Sequence, residues 1–382
     1  MNYYLIAGEP SGDLHGANLM RGLRAADPEA RFRFWGGDRM AAEGGAGNLA
    51  KHYRETSFFG IVQVLRNLRT IRRQMRECRD DVARFAPDAL ILIDYPGFNM
   101  QMAEWAHAQG IRVFYYIAPK VWAWREYRVK AMRRCIDRLF VIFPFERGYF
   151  RSKGIEPVFE GNPLVDAIAA RCAALPPAEE FRRRHGLDDR PIVALLAGSR
   201  RGEIRDNLPL MAALSKRFPD RQFVVAGVSW LDRALYERYA AGSDIRYVCD
   251  ETYETLRAAE AAVVTSGTAT LETALLGIPE VVVYRTLWFQ VKLQPYVLKV
   301  PWVSLVNLNL GREAVTEIIQ SDLSVDRAER ELRAIVAGGA KRGRMLADFD
   351  ELRAVIGGPG ASERFARRMV EELSNEKLKM KN

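Results

Sequence analysis

The chain has 382 residues, a formal net charge of +9, and a composition with 48% hydrophobic and 10% aromatic residues. This apolar content excludes a disordered or collagen-like chain, and at about 150 residues per domain the length predicts two or three domains. The four cysteines lie far apart with no C-x-x-C pair, which excludes a disulfide framework and favours a reducing compartment. The positive charge indicates an anionic partner: a nucleic acid, a phosphorylated small molecule or an acidic membrane surface.

The N-terminus predicts a first strand rather than a targeting segment. Residues Met1–Ala7 lack the basic start and the longer apolar core of a signal peptide. The longest uncharged stretches, Ala261–Leu271 and Val300–Gly311, are too short to span a bilayer. We therefore expect a soluble or peripherally bound protein.

Short β-branched or aromatic runs alternate with helical patterns along the chain. Several runs are continuously apolar, as is typical of parallel strands that are covered on both faces. This alternation predicts an α/β fold of two Rossmann-like domains, with parallel sheets facing a central cleft. The predicted strands are Tyr3–Ala7, Phe32–Trp35, Ala89–Ile93, Arg112–Tyr116, Arg138–Ile142, Pro157–Phe159, Ile192–Leu196, Gln222–Ala226, Ile245–Val248, Ala261–Val264 and Val281–Tyr284.

Composition also places the domain boundaries. We predict an N-terminal domain over residues 1–170, a proline-containing linker over 171–190 and a second domain over 191–356. The glycine-rich stretch Gly357–Gly360 then leads into a C-terminal helix and polar tail over 357–382, a segment able to pack back on the N-terminal domain.

The turn after the first strand reads Gly8-Glu9-Pro10-Ser11-Gly12-Asp13. Its small residues allow a sharp turn, and the N–H groups of the following helix can bind an anion or a hydroxyl group. The spacing is not the G-x-G-x-x-G of dinucleotide sites, and no Walker A pattern occurs. The motif indicates either an acceptor-binding turn built by Ser11, Gly12 and Asp13, or a tight turn in which Ser11 or Asp13 caps the helix.

Two more motifs follow strands in the first half. Asp94 lies at the end of a predicted strand, where open sheets bind ligands. It is therefore a candidate general base toward a hydroxyl group. The alternative is a carboxylate that only caps a helix or stabilises a turn.

Trp122 and Trp124 flank one alanine between Lys120 and Arg125. We expect one of these tryptophans to belong to the core and the other to line a site.

The second half carries a candidate nucleotide-diphosphate site. In Gly198-Ser199-Arg200, backbone N–H groups and a guanidinium converge after a strand, as a phosphate requires. Ser266-Gly267-Thr268 lies at another strand-to-helix junction, where a helix N-terminus can hold a diphosphate. Glu272 falls one turn into that helix and can accept hydrogen bonds from ribose hydroxyls. The histidines and cysteines show no metal-ligand spacing, so we expect no metal.

Apolar residues recur at helical spacing from Phe58 to Phe85, with arginines between them. Such a helix can lie on an anionic membrane, or it can be a crossover helix whose basic face is solvated. The second reading explains the part from Leu68 onward, whereas the apolar start favours lipid contact. The candidate membrane contacts are Phe58, Phe59, Ile61, Val62, Arg66 and Arg69.

Taken together, these motifs resemble the lipid-A-disaccharide synthase family over nearly the whole chain. The motifs that carry the resemblance are Gly8–Asp13, Ile93–Asn99, Val121–Arg125, Gly198–Arg200, Ser266–Glu272 and Asn307 with Gly311–Glu313, in this order. The chain departs from the family pattern at Gly97, where we expect a second Asp, and at Ala197, where we expect a Pro. The first departure strengthens Asp94 as the lone catalytic carboxylate of its motif.

The resemblance implies a GT-B glycosyltransferase that needs neither metal nor cofactor. It implies transfer of 2,3-diacylglucosamine from UDP-2,3-diacylglucosamine to 2,3-diacylglucosamine 1-phosphate, which forms the β-1,6-linked lipid A disaccharide 1-phosphate and UDP with inversion. It further implies a peripheral protein at the cytoplasmic face of the inner membrane. The implied partner is the anionic membrane surface and not a nucleic acid. A homodimer is left open.

The same resemblance implies roles for individual residues. Asp94 is the expected base, with Glu9 and His15 behind it in catalytic positions. Arg200 and the helix from Ser266 are expected to neutralise the diphosphate. The remaining expected donor contacts are Glu272 at the ribose, with Asn307 and Arg312 near the donor.

Two alternatives remain open at this level. A UDP-sugar 2-epimerase or another UDP-GlcNAc transferase would share the nucleotide motifs, but it would have no use for the apolar and basic segment from Ser57 to Arg79. A basic nucleic-acid-binding protein would fit the charge, although no groove-reading or stacking motif is present.

Overall fold

The computed structural model describes residues 1–55, 67–123, 125–285 and 301–381. It divides the chain into two compact units, one formed by Met1–Asp166 with Gly357–Asn382 and the other by Ala167–Ile356. The first change of unit therefore falls a few residues before the expected linker. Within residues 171–190, the end of the helix Pro163–Ala173 and the whole helix Ala178–Arg184 are helical.

Unit 1 is built on a parallel sheet with the strand order β3-β2-β1-β4-β5-β6-β7. Its strands are β1 (Asn2–Ala7), β2 (Arg31–Gly36), β3 (Leu49–His52), β4 (Ala89–Ile93), β5 (Val113–Tyr116), β6 (Arg138–Phe140) and β7 (Pro157–Val158). Its helices are α1 (Pro10–Ala26), α2 (Asp38–Gly44), α3 (Leu68–Phe85), α4 (Pro96–Ala108), α5 (Arg128–Cys135), α6 (Pro144–Ser152), the first residues of α7 (Pro163–Ala173) and, from the C-terminus, α16 (Ala361–Lys381).

Both faces of this sheet are buried. Alternate strand residues such as Tyr4 and Leu92 pack under α3, α4 and α5, while their neighbours face α1 and α16. The C-terminal helix is thus part of this core: Phe365 meets the ring of Tyr116 edge-on at 5.2 Å between centroids. A Cβ atom at Gly22 of α1 would lie 2.9 Å from the Cβ atom of Ala366 in α16. The two helices approach this closely because Gly22 has no side chain.

Unit 2 is built on a second parallel sheet with the order β10-β9-β8-β11-β12-β13. Its strands are β8 (Ile192–Leu196), β9 (Gln222–Gly227), β10 (Arg246–Cys249), β11 (Ala259–Thr265), β12 (Glu280–Tyr284) and β13 (Thr316–Ile319). Its helices, besides the rest of α7, are α8 (Ala178–Arg184), α9 (Arg201–Ser215), α10 (Arg233–Tyr239), α11 (Thr252–Ala258), α12 (Thr268–Leu275), α13 (Leu305–Leu310), α14 (Val325–Ile335) and α15 (Arg342–Ile356).

Each predicted strand overlaps an observed one, and the strands that sequence reasoning missed are β3 and β13. Both lie at the edge of a sheet and contain four residues. The residues of β3 are all only half-buried, so they lack the apolar run that marks a central strand. Within the described ranges, no helix combines the length and the apolar character that crossing a bilayer requires.

The arginine-rich helix α3 packs as a crossover helix over the part that the structure describes. Met75, Cys78 and Val82 are buried in the unit 1 core, whereas the arginines on the opposite side are exposed. Of the candidate membrane contacts, Arg69 is exposed on this helix. Phe58, Phe59, Ile61, Val62 and Arg66 lie outside the described residues.

Candidate active site

In unit 1, the carboxyl ends of three neighbouring strands bring the predicted catalytic residues to one edge. Ala7 of β1 pairs with Ile93 of β4, and Ile93 pairs with Tyr116 of β5. Because parallel strands end at the same side of a sheet, the residues that follow them lie side by side. Glu9, Asp94 and the β5 loop with Lys120 thus share this edge.

Asp94 lies in a strained turn that hydrogen bonds to its backbone hold in place. Asp94 and Tyr95 both adopt the left-handed backbone region, with φ of 45° and 48°, which is uncommon for side chains of this size. The carbonyl of Asp94 accepts hydrogen bonds from Asn99 Nδ2 at 2.8 Å and from the Tyr115 hydroxyl at 2.6 Å. The fully buried Asn99 also lies 3.3 Å from the carbonyls of Ile6 and Ile93, so one amide ties β1 and β4 to the turn.

Glycine at position 8 lets the β1 turn approach the Asp94 turn. A Cβ atom at Gly8 would lie 2.4 Å from the ring of Tyr95, which is too close for any real side chain. The Tyr95 ring in turn stacks on Phe98 at 5.6 Å. The two turns therefore pack directly, and the nearby charge of Glu9 adds to burial in raising the pKa of Tyr95.

The electrostatics of Asp94 suit a general base. Burial raises the pKa of its carboxyl group, while the charge of Lys120 and the backbone N–H of Tyr95 act in the opposite direction. A carboxylate with a raised pKa is a better proton acceptor, provided that it stays ionised. Lys120 supplies a positive charge that favours the ionised form.

His15 is a neutral imidazole in this environment. Burial lowers its pKa to about 4, with Asp166 partly opposing the shift. Its Nδ1 atom has no hydrogen-bond partner among the described residues. At neutral pH His15 can exchange hydrogen bonds with a ligand but is not a proton donor of the imidazolium type.

Asp13 caps a helix other than its own. Its carboxylate accepts hydrogen bonds from the backbone N–H groups of Gly37, Arg39 and Met40 at 2.7, 3.1 and 3.0 Å. These groups form the N-terminus of α2, where a negative charge is stabilising. The oxygens of Asp13 thus brace α2, while Ser11 is the exposed residue of the predicted acceptor turn and Gly12 is buried.

Trp122 belongs to the core, whereas Trp124 lies outside the described residues. The indole N–H of Trp122 donates to Glu146 Oε1 at 2.9 Å, and the ring meets Phe145 edge-on at 4.9 Å. The other oxygen of Glu146 accepts from the backbone N–H groups of Ile142 and Phe143. Burial raises the pKa of Glu146 to about 7, against these hydrogen bonds and the charge of Lys120. The tryptophan therefore holds the loop after β5 instead of lining a surface.

In unit 2, the N–H groups of the predicted phosphate loop bond to a carboxylate of the protein itself. Glu203 Oε2 accepts from the backbone N–H groups of Ser199 at 2.9 Å and Arg200 at 3.2 Å. Its other oxygen pairs with the Arg200 guanidinium at 2.9 Å. Gly198 has a φ of 109°, and a Cβ atom there would lie 2.5 Å from Glu203. The carboxylate of Glu203 thus occupies the point where these N–H groups converge, as in a capping box at the start of α9.

The second half of the predicted donor site lies at the same edge. Leu196 of β8 pairs with Val264 of β11, so the Gly198–Arg200 and Ser266–Thr268 turns are neighbours. Gly267 and Thr268 are exposed at the start of α12, and the Ser266 hydroxyl donates to the carbonyl of Val303 at 2.9 Å.

Glu272 is held by a tyrosine that the sequence motifs do not include. The Tyr253 hydroxyl donates to Glu272 Oε1 at 2.6 Å. Burial raises the pKa of Glu272, and the hydrogen bond from Tyr253 acts against that shift. One oxygen of Glu272 is thereby fixed by the protein.

Two residues that the resemblance placed near the donor are engaged by the protein. The buried Asn307 donates to the Val315 carbonyl and to Glu317 Oε1, both at 2.9 Å, and accepts from the N–H groups of Ala314 and Val315. Its amide therefore shapes the turn before β13 instead of facing a ligand. Arg312 forms ion pairs at 2.6 Å with Asp348 and Glu351 of α15, which raise its pKa.

Sequence reasoning missed Glu146, Tyr253 and the role of Glu203. Glu146 and Glu203 each had a local signal, since an acidic residue at the third helical position is typical of a capping box. Tyr253 and the bond from Trp122 to Glu146 join residues distant in sequence and had no such signal. No group of three or more His, Cys, Asp or Glu side chains that could hold a metal occurs in the described part of the chain.

A family model described as lipid-A-disaccharide synthetase matches residues 3–355. The chain belongs to the lipid-A-disaccharide synthase family. Lipid-A-disaccharide synthases from Myxococcus xanthus and Geobacter sulfurreducens are 38% and 36% identical to it, each with 97% of both chains covered. Like other members, the chain is a glycosyltransferase of lipid A biosynthesis, as the resemblance implied.

Solved structures agree on the fold. The UDP-GlcNAc 2-epimerase of Neisseria meningitidis bound to UDP-GlcNAc matches with a TM-score of 0.64 at 12% identity, covering 97% of this chain and 100% of that one. The glycotransferase of kitacinnamycin matches with a TM-score of 0.60 at 15% identity, covering 97% and 98%. At such low identity these matches establish the fold alone, and they confirm the predicted GT-B class of two parallel-sheet α/β domains.

Proposed function

We propose that the chain transfers 2,3-diacylglucosamine from UDP-2,3-diacylglucosamine to 2,3-diacylglucosamine 1-phosphate, which forms the β-1,6-linked disaccharide 1-phosphate and UDP. The observation that carries this proposal is the family match over residues 3–355, which includes both candidate sites. We assign the acceptor to the edge of unit 1 with Asp94 and the donor to the edge of unit 2 with Arg200 and Glu272. His15 and Glu9 would complete the acceptor side.

The reaction needs a base and a stabilised leaving group. Asp94 takes the proton of the acceptor 6-hydroxyl as its oxygen attacks the anomeric carbon of the donor. The bond from that carbon to the diphosphate breaks, and its electron pair leaves with UDP. The raised pKa of Asp94 supports the first role. The largely exposed guanidinium of Arg200 and the N-terminus of α12 support the second, since positive charge stabilises the diphosphate as it departs.

The membrane-associated part of the proposal rests on charge. Arg69, Arg72, Arg73 and Arg76 recur at helical spacing on α3 and are exposed. Such a face attracts anionic lipid headgroups by about 1 kcal/mol per residue. The chain would therefore work as a peripheral protein on the cytoplasmic face of the inner membrane, where diacyl substrates reside.

The test is mass spectrometry of the product that the purified protein makes from the two diacyl sugars. The expected product has the mass of the disaccharide 1-phosphate, with UDP released in equal amount. Conversion of UDP-GlcNAc to its 2-epimer without formation of the disaccharide would overturn the proposal.

Two variants test the assigned residues. Asp94→Asn should lower kcat by at least tenfold, as removal of a general base does. Arg200→Ala should mainly weaken UDP binding, and unchanged affinity by calorimetry would contradict its donor role.

A further inference from the structure

Trp230 is an exposed tryptophan at the edge of unit 2 that no part of the proposed reaction uses. It lies in the turn after β9, and 67% of its surface is exposed. The other tryptophans that the structure describes are buried or half-buried. A single exposed aromatic residue is not by itself a contact site, so the anchoring of Trp230 and its position in the sheet decide what it can contact.

The indole is held in place while its surface stays open. Its Nε1 atom donates to the backbone carbonyl of Ser199 at 3.1 Å, which ties it to the phosphate loop. The preceding residue, Ser229, donates its backbone N–H to Asp250 Oδ1 at 3.0 Å, which ties the same turn to the end of β10. An aromatic ring anchored in this way loses little conformational freedom when a ligand covers it.

The surroundings of Trp230 match the parts of a nucleoside diphosphate. Strands β10, β9 and β8 are consecutive in the sheet, so the turns after them share one edge. The turn of Ser199 and Arg200, the proposed diphosphate site, follows the neighbouring strand β8. Tyr253 lies in α11, shortly after β10 on the other side of β9, and its hydroxyl reaches the ribose candidate Glu272, which follows β11 beyond β8.

We propose that the indole of Trp230 stacks on the uracil base of the donor nucleotide. The inference rests on the proposed function and deepens it, because it assigns the base of UDP to a residue outside the motifs that carry the family resemblance. Stacking of a base on an aromatic side chain is worth about 5- to 150-fold in affinity. It is tolerant of base identity, so Trp230 would add affinity for the nucleoside without selecting uracil.

The test compares UDP and inorganic pyrophosphate by calorimetry on the full chain. Trp230→Ala should weaken UDP binding by about 5- to 150-fold and leave pyrophosphate binding unchanged. Trp230→Phe, which keeps a ring but loses the bond to Ser199, should stay within about threefold of the parent. Tyr127→Ala is the matched control, since Tyr127 is 73% exposed in unit 1. UDP should also quench the tryptophan fluorescence of the parent and quench that of Trp230→Phe less.

Each contrary outcome has a distinct meaning. If the parent binds UDP and Trp230→Ala binds it equally well, the stacking inference is wrong and the proposed function stands. An equal loss of UDP and pyrophosphate would also overturn it, because Trp230 would then only brace the Ser199 loop. A loss confined to UDP-diacylglucosamine would assign the ring to the sugar or acyl chains instead. A parent that does not bind UDP would overturn the donor assignment and this inference together.

Discussion

The side-chain amide of Asn99 donates a 2.8 Å hydrogen bond to the backbone carbonyl of Asp94. This contact holds the candidate base in a left-handed turn that its side chain does not favour. It also makes the geometry of Asp94 depend on a residue that is itself fully buried.

Asn99→Ala should therefore impair both folding and turnover. Removing the amide leaves buried carbonyls with fewer donors, which should lower the free energy of unfolding by about 1–3 kcal/mol. The turn should relax, so kcat should fall more than KM changes. Urea unfolding and steady-state kinetics measure the two effects. Gln101→Ala is the control, because Gln101 on the same helix donates to the Gly97 carbonyl from an exposed position. Equal effects of the two variants would contradict the role of Asn99.

Lys120→Met should shift the pH dependence of the reaction. The positive charge of Lys120 lowers the pKa of Asp94 against the effect of burial. Its removal should raise that pKa further, so the acidic limb of the kcat/KM profile should move to higher pH. Lys130→Met removes an exposed lysine from α5 of the same unit and should leave the limb in place. A limb that does not move in Lys120→Met would show that another group titrates.

Tyr253→Phe should reduce discrimination between UDP and 2′-deoxy-UDP. Without the phenol, Glu272 loses its 2.6 Å donor, its pKa rises further and its orientation is no longer fixed. The preference for the ribonucleotide should fall by about 2- to 12-fold, the worth of one hydrogen bond of 0.5–1.5 kcal/mol. Competition calorimetry gives the ratio, with Tyr239→Phe in α10 as the control. An equal loss of both nucleotides would indicate a purely structural tyrosine.

Glu280 should make the stability of the protein depend on pH. It is fully buried in β12, and neither of its carboxyl oxygens has a hydrogen-bond partner among the described residues. Burial, with the charge of Glu317, raises its pKa well above the ordinary 4.5. Between those two pKa values the folded state binds more protons than the unfolded state. The free energy of unfolding should therefore fall as pH rises through that window, by at most about 1.4 kcal/mol per pH unit.

Glu280→Met should remove this dependence and raise stability at pH 8 more than at pH 5. Urea unfolding at the two pH values measures the difference. Glu179→Met, at an exposed position of the same unit, is the matched control and should leave the slope unchanged. The same slope in Glu280→Met and in the parent would show that other groups cause it.

The local sequence predicts most of the strands of the two sheets. Continuous apolar runs such as Ala89–Ile93 and Ile192–Leu196 are typical of strands covered on both faces, so their positions follow from the hydrophobic effect and from chain geometry. Because such strands end at one edge of a parallel sheet, the placement of Asp94 and Arg200 at carboxyl ends followed as well. The ordered motifs were specific enough to identify the family.

The partners of the polar side chains depended on the tertiary structure. Asp13 caps α2, Trp122 bonds to Glu146, and Tyr253 holds Glu272, although nothing in the local spacing pairs these residues. A strand's own residues set its burial, but the order of strands in the sheet decides which turns become neighbours. Hydrogen bonds and pKa shifts act over a few ångströms, so they appear only once the fold has brought distant segments together.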